Sequence, residues 1–183
     1  MKKITYSILT ILIIGLVSYS CDELFGDLVN FDGEYYVMDF TVEPTELTGI
    51  QVFDTETFDS ELDTILAEYG LDRESLDLIT LAEALVEVTS PDVSFDFINT
   101  FEVVIEGNDV EAKLIAWQDS IPEGVSTLTL MISEDDIKDF LFAEQFTLTT
   151  QGFVNAAVTE AINLQAKVKF HFKGAGTGTG LEF

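Results

Sequence analysis

Apolar and polar residues alternate along most of the chain after residue 34, and this alternation predicts β-strands. The most regular strand is Leu164 to Lys173 (LQAKVKFHFK), in which every second residue is apolar. Because successive side chains of a strand point to opposite faces of its sheet, one face of this strand should be buried and the other exposed. We expect the cations on the exposed face to pair with neighbouring carboxylates rather than to bind an anionic ligand. They are Lys167, Lys169, His171 and Lys173.

A β-hairpin is predicted between residues 101 and 118, because two alternating segments flank the tight-turn dipeptide Gly107-Asn108. The positions that should face inward are Phe101, Val103, Ile105, Ala112, Leu114 and Ala116. The same reasoning predicts further strands at 35–42, 128–132 and 145–150.

Two short segments have the period of an α-helix instead. Apolar residues between Ser60 and Tyr69 recur at i, i+3, i+4 and i+7, and Gly70 follows, where a left-handed glycine commonly ends a helix. In the second segment, the acids Glu134 to Asp136 precede an apolar stripe of Ile137, Phe140 and Leu141. Acids before a helix favour its N-terminus, since they meet the positive end of the helix dipole.

Residues 79–89 fit either a strand or a helix, and we interpret them as a strand that stops at Ser90-Pro91. Strands that recur with short turns favour an all-β fold, an antiparallel Greek-key sandwich of the immunoglobulin-like kind, with seven or eight strands and two short helices. The alternative is an α+β domain in which residues 79–88 are helical.

The beginning of the chain has the pattern of an exported bacterial protein. Lys2 and Lys3 precede an apolar run from Ile8 to Val17, which is shorter than the roughly 20 residues that span a bilayer. The segment LVSYSC ending at Cys21 resembles the lipobox of bacterial lipoproteins. That resemblance implies cleavage before Cys21 and its modification with fatty acids such as palmitate, so that acyl chains anchor the protein in a bilayer.

The chain therefore divides into four parts. Residues 1–20 are the predicted lipoprotein signal peptide, 21–33 a lipid-anchored tether, 34–173 the β-sandwich domain, and 174–183 a flexible glycine-rich tail. The tail lacks the lysine and the following helix of a phosphate-binding loop, so we expect no nucleotide there.

The net charge limits the partners of this domain. Cleavage after residue 20 removes Lys2 and Lys3 but no acid, which moves the formal charge from −26 to −28. Such a surface repels nucleic acid and anionic head groups, because phosphate binding needs basic contacts.

Residues that carry catalysis are scarce. His171 is the sole imidazole and Cys21 the sole cysteine, so nucleophilic catalysis and a transition-metal site have little support, and we predict no enzyme, catalytic residue, metal site or cofactor. A carboxylate-dependent hydrolase is the last-ranked alternative, since any pair among 34 acids is expected by chance. Calcium-dependent adhesion is the other alternative, because Asp54 to Asp59 and Gly107 to Asp109 offer oxygen ligands on predicted loops.

Four segments resemble a group of small envelope lipoproteins from Gram-negative bacteria: EVVIEGNDVEAKLIAWQ, SIPEGVSTLTLMI, EDDIKDFLF and FTLTT. The resemblance extends from about Ser75 to Lys173 and carries no site residues with it. It implies a cell-envelope protein, with the outer membrane as the expected membrane and its periplasmic or surface face as the location.

We therefore expect a non-enzymatic binding or structural module for an envelope protein, a glycan or another envelope component. Trp117, with Tyr35 expected nearby, is the candidate ligand contact, because an exposed aromatic ring suits a saccharide. Packing of Trp117 against neighbouring residues is the alternative.

Overall fold

The computed structural model describes residues 28–107 and 110–175, which form two antiparallel sheets around one apolar core. The strands are β1 (Leu28–Val42), β2 (Gly49–Asp59), β3 (Leu76–Val88), β4 (Ile98–Gly107), β5 (Val110–Gln118), β6 (Thr127–Thr129), β7 (Met131–Ile132), β8 (Gln145–Val154) and β9 (Ile162–Ala175). Two short helices, α1 (Leu62–Glu68) and α2 (Lys138–Leu141), and two 3₁₀ turns, Arg73–Ser75 and Phe95–Phe97, complete the domain. The predicted all-β sandwich with two short helices is confirmed.

The strand order identifies the kind of sandwich. One sheet has the order β1-β9-β3-β6 and the other β2-β8-β4-β5-β7. Apart from the two-residue β7, the strands form four nested antiparallel pairs: β1 with β9, β2 with β8, β3 with β6 and β4 with β5. The described part of the chain is thus folded back on itself like one long hairpin. Successive pairs alternate between the two sheets, which is the jelly-roll form of the Greek-key sandwich. The immunoglobulin-like strand order that we predicted is therefore wrong.

The core lies between the sheets and is rich in phenylalanine. The five inward positions predicted for β9 are all buried, and Phe101, Val103 and Ile105 of β4 are buried opposite them. Burial of one such phenylalanine contributes about 1.5–3 kcal/mol, more than a surface ion pair, so the core supplies most of the stability. The largest fully buried side chains include Phe95, Phe101, Phe146, Phe170 and Phe172.

Residues 79–88 form a strand, so the α+β alternative is wrong. This segment belongs to β3, which pairs with β9 from Leu76 to Val88. Because β9 lies in the middle of the sheet, β3 gains a continuous ladder of backbone hydrogen bonds that a helix here could not form. The local sequence fits a strand and a helix equally well, and the pairing with β9 favours the strand.

Strand β2 was not predicted, and its position corrects one proposed calcium loop. Residues Asp54 to Asp59 lie within β2 and pair with Gln145 to Thr150 of β8, so they are not a loop. Alternation along β2 places Asp54 and Glu56 on the same face as the partly buried Phe58, at the open edge between the sheets.

Two boundaries of the predicted domain also differ. Strand β1 begins at Leu28 and pairs with His171 to Ala175 before its bulge, so the prediction of a tether is wrong for residues 28–33. At the other end, Gly174 and Ala175 still belong to β9 rather than to a tail. The long β1–β9 pair thus carries both ends of the domain into one sheet.

The hairpin of β4 and β5 is confirmed, but two of its six predicted inward positions are wrong. Ala112 and Leu114 are exposed, whereas Ile115 and Ala116 are both buried. The pairing shifts between Val103 and Val104, so Ile115 is an extra residue in β5. A bulge of this kind reverses the alternation on one side of it.

Both predicted helices form, and each is shorter than expected. Helix α1 begins after Glu61, which has a left-handed backbone (φ 48°), and Gly70 ends the segment at φ 65°, a conformation that glycine adopts without strain. Helix α2 begins only at Lys138, whose backbone N–H donates to Asp136 Oδ1 at 3.0 Å. Its predicted apolar stripe of Ile137, Phe140 and Leu141 is buried.

Within residues 28–107 and 110–175, no helix has the length and apolar character needed to span a bilayer.

Candidate functional site

A cleft of about 500 Å³ opens at the edge of the sandwich where β1 faces β2. Its walls are the first half of β1, the end of β2, helix α1 and the inner side of β9. We call it the edge cleft. It exists because β1 and β2 are the outermost strands of their sheets, so no further strand closes the gap between them in the described part of the chain.

Aromatic rings form the floor of the edge cleft. Phe31 stacks between Tyr69 and Phe172, with ring centroids 3.6 Å and 5.0 Å away. These contacts join β1 to the end of α1 and to β9. Gly33 makes them possible, because a Cβ atom there would lie 3.0 Å from Phe172 Cε2. The cleft therefore has a packed apolar base that is assembled from three separate elements.

Tyr36 lies at the centre of this aromatic group. Its ring contacts Phe58, Phe146 and Phe170 at centroid distances of 5.4, 5.1 and 5.3 Å. Its hydroxyl group donates a hydrogen bond to the carbonyl oxygen of Ser60 at 2.9 Å, which fixes the start of α1 against β1. Burial, with a contribution from the negative charge of Glu61, raises the pKa of Tyr36 to about 12. Tyr36 therefore remains a neutral hydrogen-bond donor at any physiological pH.

Carboxylates surround the aromatic floor. Asp32 and Glu34 come from β1, Asp59 from β2, and Glu61 and Glu68 from α1 and its N-terminal flank. No lysine, arginine or histidine is among the residues that line the cleft in the described part of the chain. Asp32 lies 2.7 Å from His171 Nδ1, and Asp59 accepts a hydrogen bond from Gln145 at 2.8 Å. The rim thus concentrates negative charge, and His171 pairs with one of its five carboxylates, that of Asp32.

More acids extend this charge along the same edge. Burial, together with the nearby charges of Asp54 and Asp39, raises the pKa of Glu56. Burial is the larger cause of this shift, and repulsion from the carboxylates of Asp54 and Asp39 adds to it. A cation that approached this edge would relieve that repulsion.

The side chains of the edge cleft suit the binding of a cation. Among the described residues that line it, the polar side chains are carboxylates and the hydroxyl groups of tyrosine and threonine. Aromatic faces attract cations through their quadrupole, and carboxylates attract them by charge. The arrangement suits a positively charged group carried on an apolar body.

The sequence did not predict this site, because β2 was not recognised. Phe58 and Asp59 were interpreted as part of a loop, and Phe31 as part of the tether. The signal that could have revealed β2 is the density of β-branched and aromatic residues in VFDTETF.

Trp117, the predicted ligand contact, lies in the other sheet from Tyr35. Trp117 is half-buried on the outer side of β5, opposite Glu102 of β4 and Met131 of β7. Tyr35 lies on the outer side of β1, where its hydroxyl group donates a hydrogen bond to Glu83. The structure does not bring these two residues together.

The outer face around Trp117 carries few charges, and we call it the low-charge face. Antiparallel register places its residues in cross-strand rows. One row contains Val52, Gln151, Glu102, Trp117 and Met131. The flanking rows contain Ile50, Phe153 and Thr100 on one side, and Thr55, Thr149, Val104, Leu114, Thr57, Thr147 and Glu106 on the other. Only Glu102 and Glu106 of this set are charged.

A shallow depression of about 470 Å³ lies on the low-charge face. Ile50 and Phe153 supply its apolar side, while Asn99, Thr100, Glu102 and Asp119 supply polar groups. It adjoins the row that contains Trp117, because Glu102 pairs directly with that residue.

The outer face of the other sheet, the ion-paired face, contains the cations of β9. Lys167 Nζ lies 2.7 Å from Glu87 Oε1, and Lys169 Nζ lies 4.1 Å from the centre of the Tyr35 ring. Interaction with the Tyr35 side chain, and then the charges of Glu83 and Asp32, raises the pKa of Lys169. The prediction that these cations pair with carboxylates is confirmed for Lys167 and for His171 with Asp32.

Within the described residues, no group of three or more histidine, cysteine, aspartate or glutamate side chains is arranged to hold a metal ion. Of the two proposed calcium loops, Asp54 to Asp59 is a strand, and residues 108 and 109 of the second lie outside the described residues. Cys21, the predicted lipid-attachment residue, also lies outside them.

Comparisons with known proteins add little to this picture. No protein-family model matches the chain, and no curated protein matches it. Among solved structures, the chain is similar to one from Desmodium yellow mottle tymovirus, with 7% identity and a TM-score of 0.28. That alignment covers 80% of this chain and 82% of the viral one. At this TM-score the likeness carries no argument, and the fold assignment rests on the strand order alone.

Proposed function

We propose that this protein is a non-enzymatic lipoprotein of the bacterial cell envelope, anchored through acylated Cys21, whose sandwich domain binds a cationic ligand in the edge cleft. The observation that supports binding is the combination of an aromatic floor with five rim carboxylates, while the described residues that line the cleft include no lysine, arginine or histidine. The ligand would be an ammonium or guanidinium group on an apolar stem, as lysine and arginine side chains of an envelope protein provide.

The anchor has a direct test. Mass spectrometry of the mature protein should find an N-terminal cysteine that carries a diacylglyceryl thioether and an amide-linked acyl chain such as palmitate. Cys21→Ser should leave an uncleaved precursor, because the modified thiol is required for processing. A soluble mature protein that begins at another residue would refute the anchor and leave the cleft proposal to its own test.

The cleft can be tested with two capped pentapeptides, GRFRG and GEFEG, by isothermal titration calorimetry at low salt. We expect saturable binding of the arginine peptide only, because the rim repels the glutamate peptide. The double variant Glu61→Gln and Glu68→Gln removes two rim charges without changing side-chain size. It should weaken binding about fivefold, since exposed charge pairs contribute about 0.5 kcal/mol each.

The matched control removes the same two charges elsewhere. Glu123, in the turn before β6, and Glu160, in the turn before β9, are exposed and lie away from the cleft lining, so the double variant Glu123→Gln and Glu160→Gln should leave peptide affinity unchanged. Equal losses in the control and the rim variant would show that only the net charge matters. That result, or equal binding of both peptides, would refute a specific cationic ligand in the edge cleft.

A further inference from the structure

Most of the exposed large apolar side chains of the described residues lie on or beside the low-charge face. Ile50 is 77% exposed, Val52 60%, Met131 44%, Leu114 41% and Phe153 40%. Contiguous exposed apolar groups of this kind on a soluble domain commonly mark an interaction site.

The charge of this face restricts what can bind there. The protein carries 34 acids, yet only Glu102 and Glu106 occupy the rows that define the face, and no lysine or arginine occupies them. An anionic polymer would find no basic contact and would be repelled by the whole molecule. A cationic ligand would be drawn to the acidic edge along β1 and β2 instead. The charge distribution therefore favours a neutral ligand.

The depression beside Trp117 supplies hydrogen-bonding groups with unused capacity. Glu102 accepts one hydrogen bond, from Gln151 at 2.7 Å, although a carboxylate can accept about four. The Thr100 hydroxyl oxygen accepts from the backbone N–H of Phe153 at 3.1 Å, and its own O–H remains a donor. Asp119 lines the same depression. These groups match a ligand that offers many hydroxyl groups.

Two aromatic residues flank this polar strip. Phe153 lies on β8 and Trp117 on β5, two strands apart and two residues apart along the strands. Strand spacing and rise then separate them by about 12 Å along a diagonal. Three linked pyranose rings can bridge such a distance, with their C–H faces against the aromatic groups and their hydroxyl groups on the strip between them.

We propose that the low-charge face binds a neutral oligosaccharide, with Phe153 and Trp117 as its two aromatic contacts and Glu102, Thr100 and Asp119 as hydrogen-bonding groups. This site is separate from the edge cleft and does not depend on a cationic ligand there.

Trp117 is the only tryptophan of the chain, so its fluorescence reports directly on this face. The test is a titration with neutral hexasaccharides of β-linked glucose, β-linked xylose, α-linked glucose and α-linked mannose, together with a printed array of neutral glycans. Polygalacturonate is the anionic control. We expect a saturable fluorescence change with at least one neutral sugar and none with polygalacturonate.

Two variants link that signal to the face. Phe153→Ala should weaken sugar binding about tenfold through loss of one aromatic contact. Glu102→Gln keeps the size of the side chain and should also weaken binding, which protects the test if Phe153→Ala fails to fold. The matched control is Val37→Ala, because Val37 is similarly exposed on the ion-paired face, and it should leave binding unchanged.

The proposal is overturned if no neutral sugar on the panel or the array binds, or if binding survives both Phe153→Ala and Glu102→Gln. It is also overturned if these variants change the sedimentation coefficient instead, because the face would then be an interface between two copies of the chain. The variant Glu61→Gln/Glu68→Gln should bind sugar normally, so failure at the edge cleft and failure here are distinguishable.

Discussion

The two outer faces of the sandwich differ in how charged side chains are distributed on them. On the ion-paired face, Lys167 and Lys169 lie among carboxylates from the two neighbouring strands, β1 and β3. On the low-charge face, the side chains between strands are mostly threonine and apolar, and Thr55–Thr149 and Thr57–Thr147 pair through their hydroxyl groups at 3.2 and 3.0 Å. One face compensates acids with cations, whereas the other largely omits them.

This difference follows from where the chain places its few basic residues. Six lysine and arginine residues follow residue 20, and three of them lie on the single strand β9. Exposed apolar groups with little charge around them favour association. The low-charge face is therefore the one on which we propose that a neutral ligand binds. The contrast can be tested by moving charge between the two faces.

The largest effect should follow a charge reversal on the ion-paired face. Lys167→Glu removes the 2.7 Å pair with Glu87 and places two carboxylates there, so we expect a loss of about 1–2 kcal/mol in the free energy of unfolding. The double variant Val52→Glu and Met131→Glu changes the net charge by the same amount on the low-charge face. Its two residues are exposed, so it should lose less than half as much in urea unfolding. Equal losses would contradict the comparison.

Salt should have the next largest effect. The Debye length falls from about 30 Å at 0.01 M to about 8 Å at 0.15 M, which screens the self-repulsion of a chain with formal charge −26. We expect the melting temperature to rise by a few degrees over this range, measured by scanning calorimetry. Lys167→Glu should steepen the rise, because it adds repulsion between close carboxylates. A melting temperature that stayed constant or fell would contradict this account.

Alkaline pH should weaken the ion-paired face. The folded pKa of Lys169 is raised, so its stabilising contribution is complete below the unfolded pKa near 10.5 and is lost as pH rises through the folded pKa. Tyr36 acts in the same direction between pH 10 and about 12, because the unfolded chain ionises first.

Two variants separate these contributions in urea unfolding followed from pH 9 to pH 12. Tyr36→Phe should remove the tyrosine part of the decline, and Lys169→Met in that background should flatten the curve further. A decline that is unchanged in the double variant would place its origin elsewhere in the molecule.

Divalent ions should produce the smallest contrast, because neither face presents a group of acids arranged for a metal within the described residues. We expect equal concentrations of calcium and magnesium, from micromolar to low millimolar, to raise the melting temperature equally by diffuse screening. A specific site would favour calcium, which accepts six to eight oxygen ligands while magnesium retains its waters. A saturable event with calcium alone in calorimetry would refute this expectation and revive the adhesion alternative.

The amino-acid sequence by itself determined the strands in which apolar and polar residues alternate most clearly, although not the bulge in β5. β9, the β4–β5 hairpin and β8 were predicted because each has one apolar face, and burial of that face outweighs any local preference. Helix α1 was predicted for the same reason at a period of 3.6. The acidic balance also followed from the sequence alone, since it is a matter of composition.

Only the tertiary structure decided the rest. Whether residues 79–88 are strand or helix depended on β9, almost 80 residues later in the chain, and the bulge at Ile115 depended on the partner strand. Both candidate sites arise in the same way. The edge cleft joins Phe31, Phe58 and Tyr69 because β1 and β2 are edge strands, and the low-charge face joins Trp117 to Phe153 through β4. Local pattern determines which face of a strand is apolar, but long-range pairing determines which strands become neighbours, and sites form between neighbours.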